Sequence, residues 1–382
     1  MAGLYVHIPF CVSRCIYCGF YSTVGIDKRD EYLDALQKEI EIRNEYLNED
    51  INTIYIGGGT PSALSNKQLE RLFRIIGKFV EEKNKCRITE NKEFEFTIEC
   101  NPNDLDDEKI DLLRESLVNR VSIGVQTFDD SRLKFIKRRH NSAQAKEVFR
   151  KLRKAGFGNI SIDLMFGFPN QTIDEWGKDI DEAIGLQPEH LSVYSLMIEE
   201  GTPLYNLVAA GKVKEIDEEE SLAMYKLLCK KMEENGYEHY EISNFAKHGC
   251  HSRHNSSYWR DIPYMGIGAA AHSYDGLSRQ WNISDLNKYI DEIGKGKVSF
   301  EREIIDETTH FNDIITTATR TAEGISLEKI KREFGEKYLN NLMNEAKKHI
   351  ANGMLEIADD NLRLTKEGVF ISDSIMSDLI YI

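Results

Sequence analysis

Six short β-rich runs alternate with helical stretches through the first half of the chain, and this alternation limits the folds open to it. The runs are residues 3–8, 53–56, 94–99, 120–125, 160–165 and 190–194. Each is rich in β-branched or aromatic residues and is bounded by turn-forming ones. Between them apolar residues recur at helical spacing, as with Tyr32, Leu33, Leu36, Ile40 and Tyr46. Strands alternating with helices, about 25 to 50 residues apart, predict parallel βα units. A closed eight-unit barrel needs two more strands in this register, and none is found. The expectation is an α/β fold built on an open, partial (β/α)6 barrel. Working residues then belong at the carboxyl ends of the strands.

The first of those ends carries Cys11, Cys15 and Cys18, a C-x3-C-x2-C spacing directly after the first run. Thiolates are soft ligands suited to iron–sulfur clusters. Three of them on a compact loop can hold a cubane and leave one of its four irons free to take an amine and a carboxylate. Zinc sites more often pair two C-x2-C units, and no second unit exists here. After the second run comes Gly57-Gly58-Gly59-Thr60-Pro61, a turn that lets a ligand approach the backbone closely. Glu99, Gln126 and Asp163 lie at or near later strand ends. Arg138 follows the fourth and offers a planar fork for a carboxylate.

These motifs in this order resemble the radical S-adenosylmethionine (radical SAM) family, in the branch containing oxygen-independent coproporphyrinogen III dehydrogenase. The resemblance spans nearly the whole chain. It implies a [4Fe–4S] cluster on Cys11, Cys15 and Cys18, with SAM chelating the unique iron. It also implies SAM contacts from Tyr5, Tyr17, Gly58, Gly59, Thr60, Glu99, Gln126, Arg138 and Asp163, with Met197 and His272 at two less diagnostic positions. No residue is assigned a catalytic role.

Two features discriminate within the branch. Porphyrinogen-oxidising members carry a fourth cysteine two residues after the third, where this chain has Phe20. A phenylalanine there is similar to the heme chaperones of the branch. Arg253-His254-Asn255-Ser256-Ser257-Tyr258-Trp259 resembles their His-Asn-x-x-Tyr-Trp motif. It brings an imidazole able to ligate heme iron beside two aromatic faces. His254 is the expected heme ligand, with His251 and Cys250 competing by type. The resemblance implies heme binding, delivery to apo-hemoproteins and an electron donor as partner. The alternatives are radical decarboxylation of coproporphyrinogen III propionates to vinyls, in porphyrin biosynthesis, and another radical SAM reaction of unassigned substrate.

The 382 residues carry a net charge of −15, which disfavours electrostatic nucleic-acid binding. Seven cysteines are too few for a disulfide scaffold and fit a reducing, cytoplasmic compartment. No signal peptide or membrane-spanning run is read, and peripheral membrane contact stays open. Three regions are expected: residues 1–235 as the partial barrel with the cluster loop, 236–304 as a connecting segment that is loop-rich over 243–268, and 305–382 as a smaller winged-helix-like α+β unit. For that last unit a packing or partner role is preferred to DNA binding, since no basic recognition helix is present.

Overall fold

The computed structural model describes residues 2–24, 27–91 and 93–382. Six parallel strands form its centre: β1 (Ala2–Ile8), β2 (Ile51–Gly58), β3 (Glu95–Cys100), β4 (Arg120–Gln126), β5 (Ile160–Phe166) and β6 (His190–Ser195). They pair side by side in sequence order. The helices between them are α1 (Arg29–Ile42), α2 (Asn66–Asn84), α3 (Asp107–Glu115), α4 (Asp130–Phe135), α5 (Ser142–Lys154) and α6 (Ile173–Gly185). Reciprocal side-chain caps fix several of their starts: Ser65 with Gln68, Asn141 with Gln144, and Thr172 with Glu175.

Alternation along the strands decides what each face does. Leu4, Val6 and Ile8, Ile54 and Ile56, Phe96 and Ile98, Val121 and Ile123, and Ile160 and Ile162 pack with the helices in one apolar core. The intervening residues are polar and bond to one another across the inner face. Ser122 donates to Asp163 (3.0 Å), Tyr55 to Glu99 (2.8 Å), and Ser161 meets His190 (2.8 Å). A parallel sheet covered on both sides ordinarily reads as apolar on both faces. Here the inner face is a polar lumen.

The chain continues through α7 (Pro203–Ala209) and α8 (Glu218–Glu234) into residues 236–304. This segment is more than a connection, because it extends the same sheet at both edges. β7 (Glu238–Glu241) and β8 (Asn244–Ala246) add antiparallel beyond β6. Helix α9 (Arg253–Trp259) follows, and β9 (Tyr264–Ile267) then pairs in parallel with the free edge of β1. β10 (His272–Tyr274), β11 (Ser278–Asn282), α10 (Leu286–Gly294) and β12 (Phe300–Ile304) complete a 12-stranded mixed sheet. Where the sequence suggests a loop-rich stretch, the structure has β8, α9 and β9. These elements are three to seven residues long, too short for periodicity to declare.

The C-terminal unit is winged-helix-like: α11 (Glu307–Ala318), β13 (Ile325–Ser326), α12 (Leu327–Ala351, broken at Gly335), β14 (Leu355–Ala358), β15 (Asn361–Leu364) and α13 (Ser372–Leu379). It has its own core around Phe311, Ile330, Leu342, Leu362 and Ile375. It is fastened to the end of α9, with Arg320 over the Trp259 ring (5.2 Å) and His310 bonded to Asp261 (3.0 Å). Among the described residues no helix is long and apolar enough to cross a membrane.

Candidate functional site

After β1 the chain turns back on itself, and the Cys11 amide donates to the Thr23 carbonyl (2.9 Å). Cys11 is buried, Cys15 and Cys18 are half-buried, and all three are free thiols. Burial pushes the Cys18 thiol up, the backbone at Phe20 draws it down, and Cys15 and Cys11 push it up again. The three sulfurs therefore share one electrostatic neighbourhood. Arg14 donates to the carbonyls of Cys18 (3.0 Å) and Phe20 (3.2 Å) and holds the far side of the loop. Thr60 Oγ1 donates to the Cys11 sulfur (3.4 Å) and Arg138 Nη1 to that of Cys15 (3.9 Å), contacts of the kind that tune thiolate ligands. Among the described residues no three potential ligands converge on a single metal ion. A cubane does not require that, since each thiolate binds a different iron.

The glycine turn lies against this loop. Gly59 donates to the Ile8 carbonyl (2.8 Å) and Thr60 to that of Phe10 (2.9 Å). A Cβ on Gly59 would meet Ile8 O at 2.9 Å and Phe10 N at 3.0 Å, so backbone on both sides excludes a side chain. Gly58 has φ +106°, and a Cβ there would strike the His7 ring. Three thiols on one closed loop, donors at two of the sulfurs and a backbone cradle beside them fit a cluster with SAM.

The other expected SAM contacts gather at this end of the barrel. The Glu99 carboxylate accepts from Tyr55 (2.8 Å) and from the Gly58 amide (3.2 Å). Burial pushes its pKa from 4.5 up to about 7, against the pull of the Tyr55 hydroxyl. Gln126 ends β4 in a left-handed backbone (φ +72°) beside a register shift, which turns its amide to accept from Tyr17 (3.4 Å). Arg138 also donates to the Gly124 carbonyl. Its Nε is buried without a partner. Asp163 sits one level lower, held by Ser122, and burial raises its pKa. Tyr5 bonds His7 Nδ1 (3.0 Å), while His7 Nε2 donates to the Tyr21 carbonyl (3.0 Å). Met197 and His272 are solvent-exposed, Met197 by 64%, and His272 lies near enough to His7 to lower its pKa. Sequence reasoning missed Tyr55, although period-two alternation along 53–57 places it on the face of Thr53 and Gly57.

Glu99 gives a test. A carboxyl whose folded pKa lies above its unfolded value adds stability below the unfolded value and loses it as pH rises to the folded one. Stability should fall between pH 4.5 and about 7 on account of Glu99, by a few kcal/mol at most. Glu99→Gln should cancel that part. Melting temperatures of the two proteins should diverge from pH 5 to 7.5, the variant gaining. Parallel profiles would refute the buried charge.

His254 is not displayed on a loop. It lies in α9 at the opposite end of the barrel, fully buried, with both nitrogens occupied. Nδ1 meets Thr53 Oγ1 (2.9 Å), Nε2 meets the Tyr258 hydroxyl (2.9 Å), and the ring stacks on Tyr55 (5.3 Å). Glu95 accepts from the amides of Arg253 and His254 (both 2.9 Å) and pins the start of α9 beneath β3. Burial, and after it the Arg120 charge, lowers the His254 pKa to about 3, so the imidazole is neutral. Of the competitors, His251 bonds Glu238 (2.7 Å) and stacks on Tyr240, and Cys250 is a half-buried thiol. The expected heme residues and SAM residues thus occupy opposite ends of one lumen, joined by Tyr55.

Comparison with known proteins agrees with this architecture. The radical SAM superfamily matches residues 5–183, and the HemN C-terminal domain matches residues 305–371. A protein named heme chaperone HemW from Bacillus subtilis (strain 168) is 38% identical over 383 residues, covering 98% of each chain. One of the same name from Lactococcus lactis subsp. lactis (strain IL1403) is 36% identical, covering 86% of this chain and 84% of its own. The solved structure of coproporphyrinogen III oxidase (HemN) from Escherichia coli superposes with a TM-score of 0.84 at 21% identity, over 99% of this chain and 90% of that one, a likeness of fold. The chain belongs to the radical SAM superfamily, in the branch that includes the HemW proteins and HemN.

Proposed function

We propose that this chain is a heme chaperone: it binds heme, delivers it to apo-hemoproteins, and carries a [4Fe–4S] cluster with SAM. The observation that carries the reading is end-to-end similarity to proteins named heme chaperone HemW, with Phe20 where porphyrinogen-oxidising members have cysteine. Phe20 is 73% exposed, so that position offers no thiol to a substrate at the barrel mouth. Radical SAM membership implies the cluster and SAM, which when bound supply one-electron chemistry. Cys11, Cys15 and Cys18 hold the cluster. Gly58, Gly59 and Thr60 present backbone to SAM, Glu99 accepts from its donors, and Arg138 pairs with its carboxylate. Tyr5, Tyr17, Gln126 and Asp163 complete the wall.

His254 is the residue for heme iron. Its neutral imidazole is the form that ligates metal. To do so it gives up its bond to Tyr258 or to Thr53, so ligation requires α9 to shift. A reducing cytoplasm, an electron donor and apo-hemoprotein recipients complete the proposal.

The test is a heme titration of anaerobically reconstituted protein, followed by desalting, with wild type beside His254→Ala. The wild type should keep a Soret band and the variant should lose most of it. If neither retains heme, and pure protein with SAM and reductant converts coproporphyrinogen III to protoporphyrinogen IX, the dehydrogenase reading replaces this one.

A further inference from the structure

Arg120 opens β4 at the floor of the lumen and is 1% exposed. Its Nε has no hydrogen-bond partner, and among the described residues no carboxylate lies within ion-pair distance of it. The lumen's own acids spend their hydrogen bonds elsewhere, Glu99 on Tyr55 and Gly58 and Asp163 on Ser122, and feel the Arg120 charge only at a distance. The guanidinium is therefore carried inside the barrel without a direct ion-pair partner. Thr97 stands directly across from it in the β3–β4 register, and its buried hydroxyl also lacks a partner. His190 and His254 share the floor and are held neutral, burial acting first and the Arg120 charge second. A buried guanidinium with an unbonded Nε and no direct ion-pair partner, beside an unbonded hydroxyl, describes half of an anion site. A planar guanidinium with a hydroxyl beside it matches a carboxylate. Arg138, at the other end of β4, is the arginine expected at the carboxylate of SAM, so Arg120 is left for a second carboxylate.

We propose that Arg120, with the Thr97 hydroxyl beside it, is a carboxylate-binding site on the lumen floor, and that the carboxylate it takes is a heme propionate. The second clause rests on the heme reading above, under which the iron goes to His254 on the same floor.

The experiment titrates heme and heme dimethyl ester, in which both propionates are masked, into anaerobically reconstituted full-length protein. Wild type, Arg120→Met and Arg120→Lys are compared, and SAM affinity is measured on each. Wild type should prefer heme over the diester by about tenfold, the size of one charge-assisted pair. Arg120→Met should lose that preference by weakening heme alone, and Arg120→Lys should keep part of it. SAM affinity should stay within about twofold. The ligand-free Arg120→Met protein should melt higher than wild type, because a buried guanidinium with no direct ion-pair partner and an unbonded Nε is gone. A lower melting point would show that the fold itself uses Arg120 and would overturn the site. Loss of SAM rather than heme affinity in Arg120→Met would assign the carboxylate to SAM and overturn the propionate. Equal binding of heme and diester by wild type, as when only lumen water meets Arg120, would overturn this inference and leave the chaperone reading standing. Failure of wild type to bind either would remove the chaperone reading and the propionate with it.

Discussion

Full-length protein carrying Cys18→Ala, reconstituted anaerobically with iron and sulfide, is expected to leave the desalting column without a cluster. The broad visible absorbance should vanish, and iron and sulfide per chain should fall to background. The loop has three thiols to offer and no fourth nearby. The remaining cysteines lie elsewhere: Cys86 just after α2, Cys100 at the end of β3 in the apolar core, Cys229 in α8 and Cys250 ahead of α9. Burial holds Cys229 near 11, a thiol that does not ligate readily. The variant should nevertheless fold, because the loop is tied by its backbone. The Cys18 amide donates to Cys15 O (3.3 Å), and the Arg14 bonds to the carbonyls of residues 18 and 20 do not involve the sulfur. Its melting temperature without cofactors should match wild type within a few degrees, and Cys250→Ala should reconstitute normally. Unchanged iron and sulfide in Cys18→Ala would remove the cluster assignment, and with it the residue-level basis for placing SAM beside Gly58 and Glu99.

The central strands were legible because each declares itself locally: residues 120–125 alternate apolar and polar and end at a turn, and residues 160–165 do the same. The carboxyl-end placement of the glycine turn, Glu99 and Gln126 followed from topology, while their assignment to SAM rested on the resemblance; Gly58, Glu99, Gln126 and Arg138 gather at one end of the barrel. The segment 236–304 was not legible, because β8 and β9 are three and four residues long and pair with β6 and β1, far away in sequence. The same limit explains His254. Its motif falls in the stretch expected to be loop-rich, and only the register of β1 to β3 shows Gly3, Thr53 and Glu95 closing over it. Arg120 reads as the polar start of an apolar strand. That it is buried and unpaired follows from what the other strands do not supply.

Glu39→Ala is expected to be the most damaging single substitution outside the cluster loop. Glu39 sits in α1 among several charged residues, yet it is fully buried. Its Oε1 accepts from Arg43 Nη1 (2.9 Å) and Asn282 Nδ2 (2.6 Å), and its Oε2 from the Gly268 amide (2.8 Å) and the Tyr289 hydroxyl (2.6 Å). Four donors from α1, the β9–β10 turn, the end of β11 and α10 thus close on one carboxylate. Arg43 goes on to the Gly266 carbonyl (2.7 Å) and Ser273 Oγ (2.9 Å). Removing the carboxylate leaves a buried guanidinium without its counter-charge and the Gly268 amide and Tyr289 hydroxyl with nothing to bond, while Asn282 Nδ2 keeps only the Gly268 carbonyl (3.0 Å). Breaking a buried pair in this way costs about 3–5 kcal/mol, which in a chain of this size lowers the melting temperature by roughly 5 °C. Tyr289→Phe deletes one donor, leaves the charge pair intact, and should cost about 1 kcal/mol. The damage should reach the site. Tyr32 donates to the His7 carbonyl (2.8 Å) and accepts from the Ala269 amide (3.0 Å), so the turn that Glu39 anchors also braces the end of β1, where the cluster loop begins. Amide hydrogen exchange in Glu39→Ala should therefore rise over residues 266–271 and at the end of β1 before it rises in β3 to β5. A melting temperature within 2 °C of wild type would mean that the four donors find water or one another, and would demote the network from keystone to ornament.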